Sequence, residues 1–243
     1  MAIAKTALIA GGTGGLGEGI VKVLLEAGWN VWVPVREPTG GDRLKAFVAS
    51  VSADRLHLVH TDLSVAAEIA SLRKQMVTAA KTVDLVVVSV GSSYYGYSLQ
   101  KIQRAVWDKL ISENISTHFH LQQEFMSQFH EQDHGTYITL TGPEADFAHP
   151  ETGLMSIMAA AQKMMARVEA LEASGGKVKV YSVTSKTPIA TRARGEQSAA
   201  DWLTPGELGL YVHALAEGSV PGLGDPLHVI ETRDQLRKLL KLK

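Results

Sequence analysis

The sequence predicts an α/β domain built on a doubly wound, mainly parallel sheet of seven strands with helices on both faces, and three observations carry that prediction. Short apolar runs alternate with longer amphipathic stretches along the whole chain. The repeated strand-helix order joins neighbouring strands by right-handed crossovers and leaves helices above and below the sheet. The size and composition suit one such unit: 243 residues, 45% hydrophobic and 20% charged, supply a large core but little chain for a second domain. The first apolar run passes straight into a cluster of glycines ahead of a helical pattern, the junction at which folds of this class place a ligand.

The strands are expected at Thr6–Ala10, Asn30–Val35, Leu56–His60, 84–90, 135–140, 177–183 and Leu227–Ile230, each a short run of apolar residues as a strand buried on both faces requires. Apolar residues recur at helical spacing over 18–27, Ala66–Ala80, 99–129 and 154–174. The Gly/Pro-rich pieces EPTGG (37–41) and GSVPGLGDP (218–226) read as loops, and 232–243 as a short amphipathic helix with a basic end. No repeat divides the chain, so 1–243 reads as one domain.

Charge and composition exclude several function classes. Lys and Arg total 24 against 25 Asp and Glu, a formal net charge of -1, and no basic run is long enough to follow a nucleic acid or a membrane surface. No apolar stretch approaches the roughly 20 residues of a spanning helix, and MAIAKTALIAGG enters a strand without a cleavage pattern, so a cytoplasmic protein is expected. The absence of cysteine removes disulfides, thiolate nucleophiles and Cys-type zinc sites.

Gly11, Gly15 and Gly17 lie in AGGTGGLGEG between the first strand and the first helix. Glycines there let a pyrophosphate reach the free N–H groups and the positive dipole end of the helix, since no side chain holds it away. A tight turn without a ligand is the alternative; the position on the first strand of an alternating chain favours a nucleotide. With these residues the chain resembles the classical short-chain dehydrogenase/reductase family, a Rossmann fold. Gly11, Gly12, Thr13, Gly14, Gly15, Leu16 and Gly17 meet its T-G-x-x-x-G-[IL]-G fingerprint, with Ala10 in place of the opening Thr. Later landmarks keep the family's order. Asp62, beside Leu63 in HTDLS, matches the acid that contacts adenine, and VSVG keeps only Gly91 of N-N-A-G. Asn114 in WDKLISENIS matches the long-helix asparagine, and PIAT, containing Ile189 and ending at Thr191, matches the segment that holds the nicotinamide carboxamide. In VPVRE, Val35 stands where an acid would accept from ribose hydroxyls and Arg36 follows, where a cation pairs with a 2′-phosphate. NADP(H) is therefore expected over NAD(H), the alternative being that Arg36 is a solvated strand-end charge.

The resemblance also implies a Tyr that donates a proton to a carbonyl, a Lys four residues on that lowers its pKa, and a Ser that polarises the carbonyl. The chain has no Y-x-x-x-K. Counting on from ITLTG puts the Ser position at Gly142 and the loop proline at Pro150, and the Tyr and Lys positions fall on Met155 and Ala159. Counting back from ALEAS, ahead of KVKVYSV, gives the same two residues. Of the family's four, Asn114 alone remains. A gapped alternative puts Lys163 at the Lys position and Ala159 at the Tyr position, still without a proton donor. A positioned general acid is worth roughly 10² to 10⁴ in rate, so the family's ordinary mechanism is expected to be crippled. The missing lysine also holds the nicotinamide ribose in the family, which implies weaker cofactor binding.

Other residues offer substitutes. Tyr94, Tyr95 and Tyr97 in GSSYYGYS follow the fourth strand, at the carboxyl edge of the sheet. A phenol with a pKa near 10 needs a neighbouring cation there, for which Lys186 is the candidate; alternatively the tyrosines wall an apolar cleft. Glu144, Asp146 and His149 lie in the loop after the fifth strand, as acid/base groups or as solvated loop residues. His118 shares the helix face of Asn114 and His120 does not; neither completes a metal set, and no metal is expected. Met155, Met158, Met164 and Met165 pack a core or, as the resemblance implies, line the interface of a homodimer or homotetramer. Three functions follow as expectations. One is an NADP(H)-binding protein without the Tyr/Lys/Ser apparatus, either a nucleotide-dependent binding protein or an enzyme of altered mechanism. Another is an NADPH-dependent carbonyl oxidoreductase with Tyr95 or Tyr97 as proton donor. The third is a redox-neutral lyase, isomerase or cyclase. All three place a small molecule near the tyrosines.

Overall fold

The strands are β1 (Thr6–Ala10), β2 (Asn30–Val35), β3 (Leu56–His60), β4 (Leu85–Val88), β5 (Gly135–Thr141), β6 (Val178–Ser185) and β7 (Leu227–Ile230) in the computed structural model, which describes residues 4–51 and 53–242. They form one sheet in the order β3-β2-β1-β4-β5-β6-β7. Every pairing is parallel, where the sequence predicts a mainly parallel sheet. The strand order reverses between β1 and β4, and this opens a crevice at their carboxyl ends. β4 is shorter than expected at both ends. Asp84 leaves the strand because its carboxylate accepts from the Thr6 N–H at 2.8 Å, and the chain turns away from β5 after Val88.

The helices are α1 (Gly17–Glu26), α2 (Pro38–Phe47), α3 (Ala66–Ala80), α4 (Arg104–Leu110), α5 (Thr117–Gln132), α6 (Gly153–Glu172), α7 (Pro205–Ala216) and α8 (Arg233–Leu239). Three sequence expectations are corrected. EPTGG is not a loop: Pro38 opens α2, where its missing N–H costs no hydrogen bond. The stretch 99–129 is not one helix but a 3₁₀ turn at Leu99–Lys101, then α4, a π-helical turn at Ile111–Ser116 and α5. The C-terminal helix ends at Leu239, and Lys243 lies outside the described residues. The sequence reading also passed over α7, which begins at a capping box: Glu207 N–H donates to the Thr204 hydroxyl at 3.1 Å while the Glu207 carboxylate accepts from the Thr204 N–H at 3.0 Å.

Alternate residues of the central strands enter two apolar layers. Ile9, Val33, Val87 and Ile138 pack on Ile20 and Leu24 of α1 and on Leu208 and Val212 of α7. Leu8, Ala10, Val86 and Val88 pack on Leu72 and Met76 of α3 and on Phe125 and Phe129 of α5. A strand buried on both faces reads as a continuous apolar run, and this is why the strand positions were legible. Among the described residues no helix is long and apolar enough to cross a membrane.

Glu207 ties α7 to α8. Its carboxylate accepts from Arg233 Nε at 2.9 and 3.0 Å and from Arg237 at 2.7 Å. Burial alone would raise the pKa of this carboxyl, but the Arg233 guanidinium, the Thr204 N–H and Arg237 outweigh it and hold the value at about 2. A carboxyl depressed on folding stabilises the fold fully above its ordinary value near 4.5 and loses that contribution as pH falls toward 2. Glu207→Gln should therefore cost about 2 to 3 kcal/mol at neutral pH. In urea denaturation the gap between wild type and variant should narrow as pH is lowered from 4.5 toward 3; a gap independent of pH would show that the carboxylate charge plays no part.

Candidate functional site

The site is built at the carboxyl ends of β1 and β4. Gly11 turns the chain out of β1 at φ +92°, and a Cβ there would run into the Ser89 carbonyl, so only glycine fits between the two strand ends. Leu16 precedes α1 without a side-chain cap, and Gly17 begins the helix. Thr191 closes on this turn: a Cβ on Gly15 would lie 2.9 Å from that of Thr191. The strand-like pairing of Ile189 with Leu203 and the Ala190 N–H donated to the Leu203 carbonyl at 2.8 Å hold segment 189–191 in place.

Two cavities open from this junction and share Ser89, Val90, Gly91 and Ser92. The first, of about 340 Å³, is lined by Gly11, Thr13, Arg36, Asp62, Leu63 and Glu113 among others. It gathers Gly11, Thr13, Arg36, Asp62, Leu63 and Gly91 of the expected cofactor residues, while Gly15, Leu16, Gly17, Ile189 and Thr191 are not among those lining it. Arg36 is exposed at its rim, and Arg43 Nη2 donates to the Thr13 carbonyl at 3.0 Å. The Asp62 carboxylate accepts from the Ser64 N–H at 2.9 Å and the Ser64 hydroxyl at 2.7 Å. Those two bonds, helped by the charge of Arg36, hold its pKa below the ordinary value.

The second cavity, of about 230 Å³, is lined by Asn114, Gly142, Glu144, Met155, Ala159 and Tyr95, with Met158 and Gln162 beside them. The structure thus brings together the positions that the sequence assigns to the family's four catalytic residues. Asn114 sits on the π-helical turn, buried, and its Nδ2 donates to the carbonyls of Leu110 at 3.1 Å and Ser92 at 3.2 Å. Its Oδ1 presses on Gly91, whose φ of +140° and lack of a Cβ make the approach feasible. The Asn114 carbonyl accepts from Gln162 Nε2 at 3.1 Å. Gln162 was missed by the sequence reading; it falls on the same face of α6 as Met155 and Ala159, at helical spacing, and that periodicity is the signal that finds it. Met155 Sδ accepts from the Tyr94 N–H at 3.3 Å.

Glu144 lies in a 3₁₀ turn after β5, and its carboxylate folds back over Gly142, into the space that a side chain at 142 would take. It accepts from the Tyr95 hydroxyl at 3.3 Å. Burial raises the pKa of Tyr95, the charge and hydrogen bond of Glu144 raise it further, and Arg194 offsets part of this, so the phenol keeps its proton at neutral pH. Tyr97 stacks on Tyr94 at 5.0 Å between ring centroids and is not among the residues lining this cavity. Lys186, the suggested partner of the tyrosines, is bound elsewhere: its Nζ lies 2.8 Å from Glu231 and 5.3 Å from the Phe147 ring centroid. Lys163 is paired with Asp146 at 2.7 and 2.8 Å and does not line the cavity, whereas Ala159, which both registers place in the site, does. His149 is exposed and its carbonyl accepts from the Thr152 hydroxyl at 2.9 Å. His118 is buried with Nε2 3.0 Å from the Val90 carbonyl; burial lowers its pKa to about 4, the Val90 bond offsetting part of the shift, so the ring is neutral and donates. His120 packs edge-on against Phe119. Among the described residues no group of His, Asp and Glu side chains has the arrangement of a metal site.

Known proteins share this architecture. The family model for short chain dehydrogenase matches residues 5–202. The chain is 28% identical over 137 residues to nodulation protein G of Rhizobium sp. (strain N33), covering 56% of this chain and 54% of that one. It is 27% identical over 148 residues to the 3-oxoacyl-[acyl-carrier-protein] reductase FabG of Staphylococcus epidermidis, covering 60% of this chain and 59% of that one. The match thus spans less than two thirds of these relatives. Among solved structures, ElxO with NADP bound superposes with a TM-score of 0.83 at 15% identity, over 93% of this chain and 97% of that one. A short-chain type dehydrogenase/reductase from Mycobacterium ulcerans superposes at 0.84 with 16% identity, over 94% and 89%. The matched span takes in both cavities, from Gly11 to Thr191, and the chain belongs to the short chain dehydrogenase family.

Proposed function

We propose that the chain is an NADP(H)-binding member of this family without the usual Tyr/Lys/Ser apparatus, acting as a nucleotide-dependent binding protein or as an enzyme of altered mechanism. One observation carries the reading: Gly142, Met155 and Ala159 line a single cavity with Asn114 and contribute neither a hydroxyl nor an ammonium to it. The residues of the first cavity fit the dinucleotide. The turn at Gly11 and Gly17 is bare of side chains because the backbone itself fills the space a Cβ would need. Arg36, with Arg43 bound to the Thr13 carbonyl, presents guanidinium charge suited to a 2′-phosphate. The Asp62 carboxylate, already accepting twice, retains lone pairs for an adenine amino group. Thr191 lies against Gly15, and with Ile189 it would hold the nicotinamide carboxamide, as the family resemblance implies. A similarly folded protein, ElxO, has a structure with NADP bound, which supports the same choice here. When bound, the group supplies a hydride donor or acceptor. The exposed Phe119, Met164, Val168 and Leu171 on α5 and α6 are the surface for the homodimer or homotetramer that the family resemblance implies.

A second reading, carbonyl reduction with Tyr95 as proton donor, is favoured by the protonated phenol inside the same cavity. It predicts that Tyr95→Phe lowers any NADPH-dependent turnover by roughly 10² to 10⁴; activity retained in that variant eliminates it.

Titration with NADPH and NADH, followed by thermal shift and calorimetry, tests the main reading. NADPH should bind more tightly than NADH, and Arg36→Ala should weaken NADPH about tenfold while leaving NADH little changed, as loss of a charge-assisted phosphate contact requires. Binding of neither dinucleotide would overturn it. A second experiment tests the register. Gly142→Ser, Met155→Tyr and Ala159→Lys together should confer generic carbonyl reductase activity only when combined with Glu144→Ala, because the Glu144 carboxylate occupies the space of a side chain at 142. Activity of the triple variant alone would contradict that placement.

A further inference from the structure

The second cavity holds a charge that the dinucleotide reading leaves without a role. Glu144 is the single charged residue among those described as lining it. One carboxylate oxygen lies over Gly142, where a Cβ would be 3.4 Å from the carboxyl carbon, and the other accepts from Tyr95 at 3.3 Å. Three cations nearby are paired elsewhere. Lys163 is on Asp146 at 2.7 Å, Lys186 on Glu231 at 2.8 Å and Arg192 on Glu18 at 2.9 Å. The Arg194 guanidinium lies on the Trp202 ring at 5.1 Å from its centroid, and its charge reaches the cavity only far enough to offset part of the effect of Glu144 and burial on Tyr95. The amides of Asn114 and Gln162 are turned to main-chain carbonyls. An anion forming in this cavity would meet a like charge at short range with no lysine to offset it. A cation would meet a counter-ion in a partly desolvated site whose lining combines the hydroxyls of Ser92, Ser93 and Thr141, which can accept from it, with apolar walls at Leu140, Met155 and Met158.

We propose that this cavity takes the cationic nitrogen of a small organic ligand, a protonated amine or protonated imine, with Glu144 as its counter-ion. The cation site rests on the reading above only in taking the cavity as the ligand side of the cleft; reduction of a ligand there rests on the dinucleotide as well. It also accounts for the missing acid. A carbonyl must gain a proton as it is reduced, whereas a protonated imine already carries one. Hydride adds at its carbon, the C=N π electrons move to nitrogen, and cation plus hydride give a neutral amine. The co-reactant, a reduced nicotinamide dinucleotide, is oxidised, and no side chain has to give up a proton. Met155 and Ala159 at the usual Tyr and Lys positions are then no handicap.

Benzylamine, benzyl alcohol and benzoate share one ring and differ in the charge on its arm. Titrated calorimetrically into the full-length chain at neutral pH, with and without NADPH, benzylamine should bind at least about tenfold more tightly than benzyl alcohol, and benzoate most weakly. Glu144→Gln, equal in shape and without charge, should erase the preference. No binding of benzylamine, equal affinity for amine and alcohol, or a preference that survives Glu144→Gln overturns the proposal. NADPH binding is read on the same samples: its absence with the amine preference intact overturns the dinucleotide reading and the imine reduction with it, and leaves the cation site standing.

Discussion

The site depends on the close approach of two backbones at the ends of β1 and β4. Ser89 N–H donates to the Ala10 carbonyl at 2.9 Å, and immediately beyond that bond Gly11 turns away against the Ser89 carbonyl with no room for a Cβ. Everything that opens into the crevice inherits this contact. It fixes where α1 begins, it places residues 89–92 as the wall common to both cavities, and it carries Gly91 onto the amide of Asn114. A side chain at 11 would push the strand ends apart, and both cavities would lose their shared wall.

Asn114 is the second fixed point, and helix geometry alone would not deliver it. The π-helical turn at Ile111–Ser116 inserts one extra residue into the long helical stretch, which swings Asn114 inward and releases the Leu110 carbonyl to its side chain. The position is over-determined. The side chain donates to two carbonyls, its own carbonyl is held by Gln162, and His118 one turn on is bound to Val90. With the Gln162 amide on that carbonyl and its own amide on two others, Asn114 finds its partners within the fold. They serve as scaffold and offer the cavity little charge of their own.

The fold was legible in the sequence through its apolar runs. The boundaries of β1, β2, β3 and β7 coincide with the expectation: β1 and β2 are buried almost throughout, while β3 and β7, at the sheet edges, are partly exposed yet apolar enough to read as strands. The glycine turn was legible because close backbone approach leaves a chemical signature, a missing Cβ, in the sequence itself. Other features leave none. Apolar periodicity runs unbroken through 99–129 because a π-turn shifts the phase by a single residue, too little to disturb a pattern already blurred by polar side chains. Pro38 and its glycines resemble a loop in composition, yet proline in the first turn is compatible with a helix. Gly142, Met155 and Ala159, reached by counting from two strand anchors, line one cavity. The return of Glu144 over Gly142 and the diversion of Lys186 to Glu231 are tertiary placements of flexible side chains, and no spacing rule encodes them.

The loop after β4 has its own moorings. Tyr94 N–H is held by the Met155 sulfur at 3.3 Å, and Gly96 N–H by the Glu151 carbonyl at 3.1 Å. Both donors belong to the main chain, so these two bonds do not depend on which side chains stand at 95 and 97. Side chains there are free to be exchanged, one at a time, without unfastening the rim of the crevice. An architecture moored in this way lets ligand preference drift through evolution while the frame around it stays still.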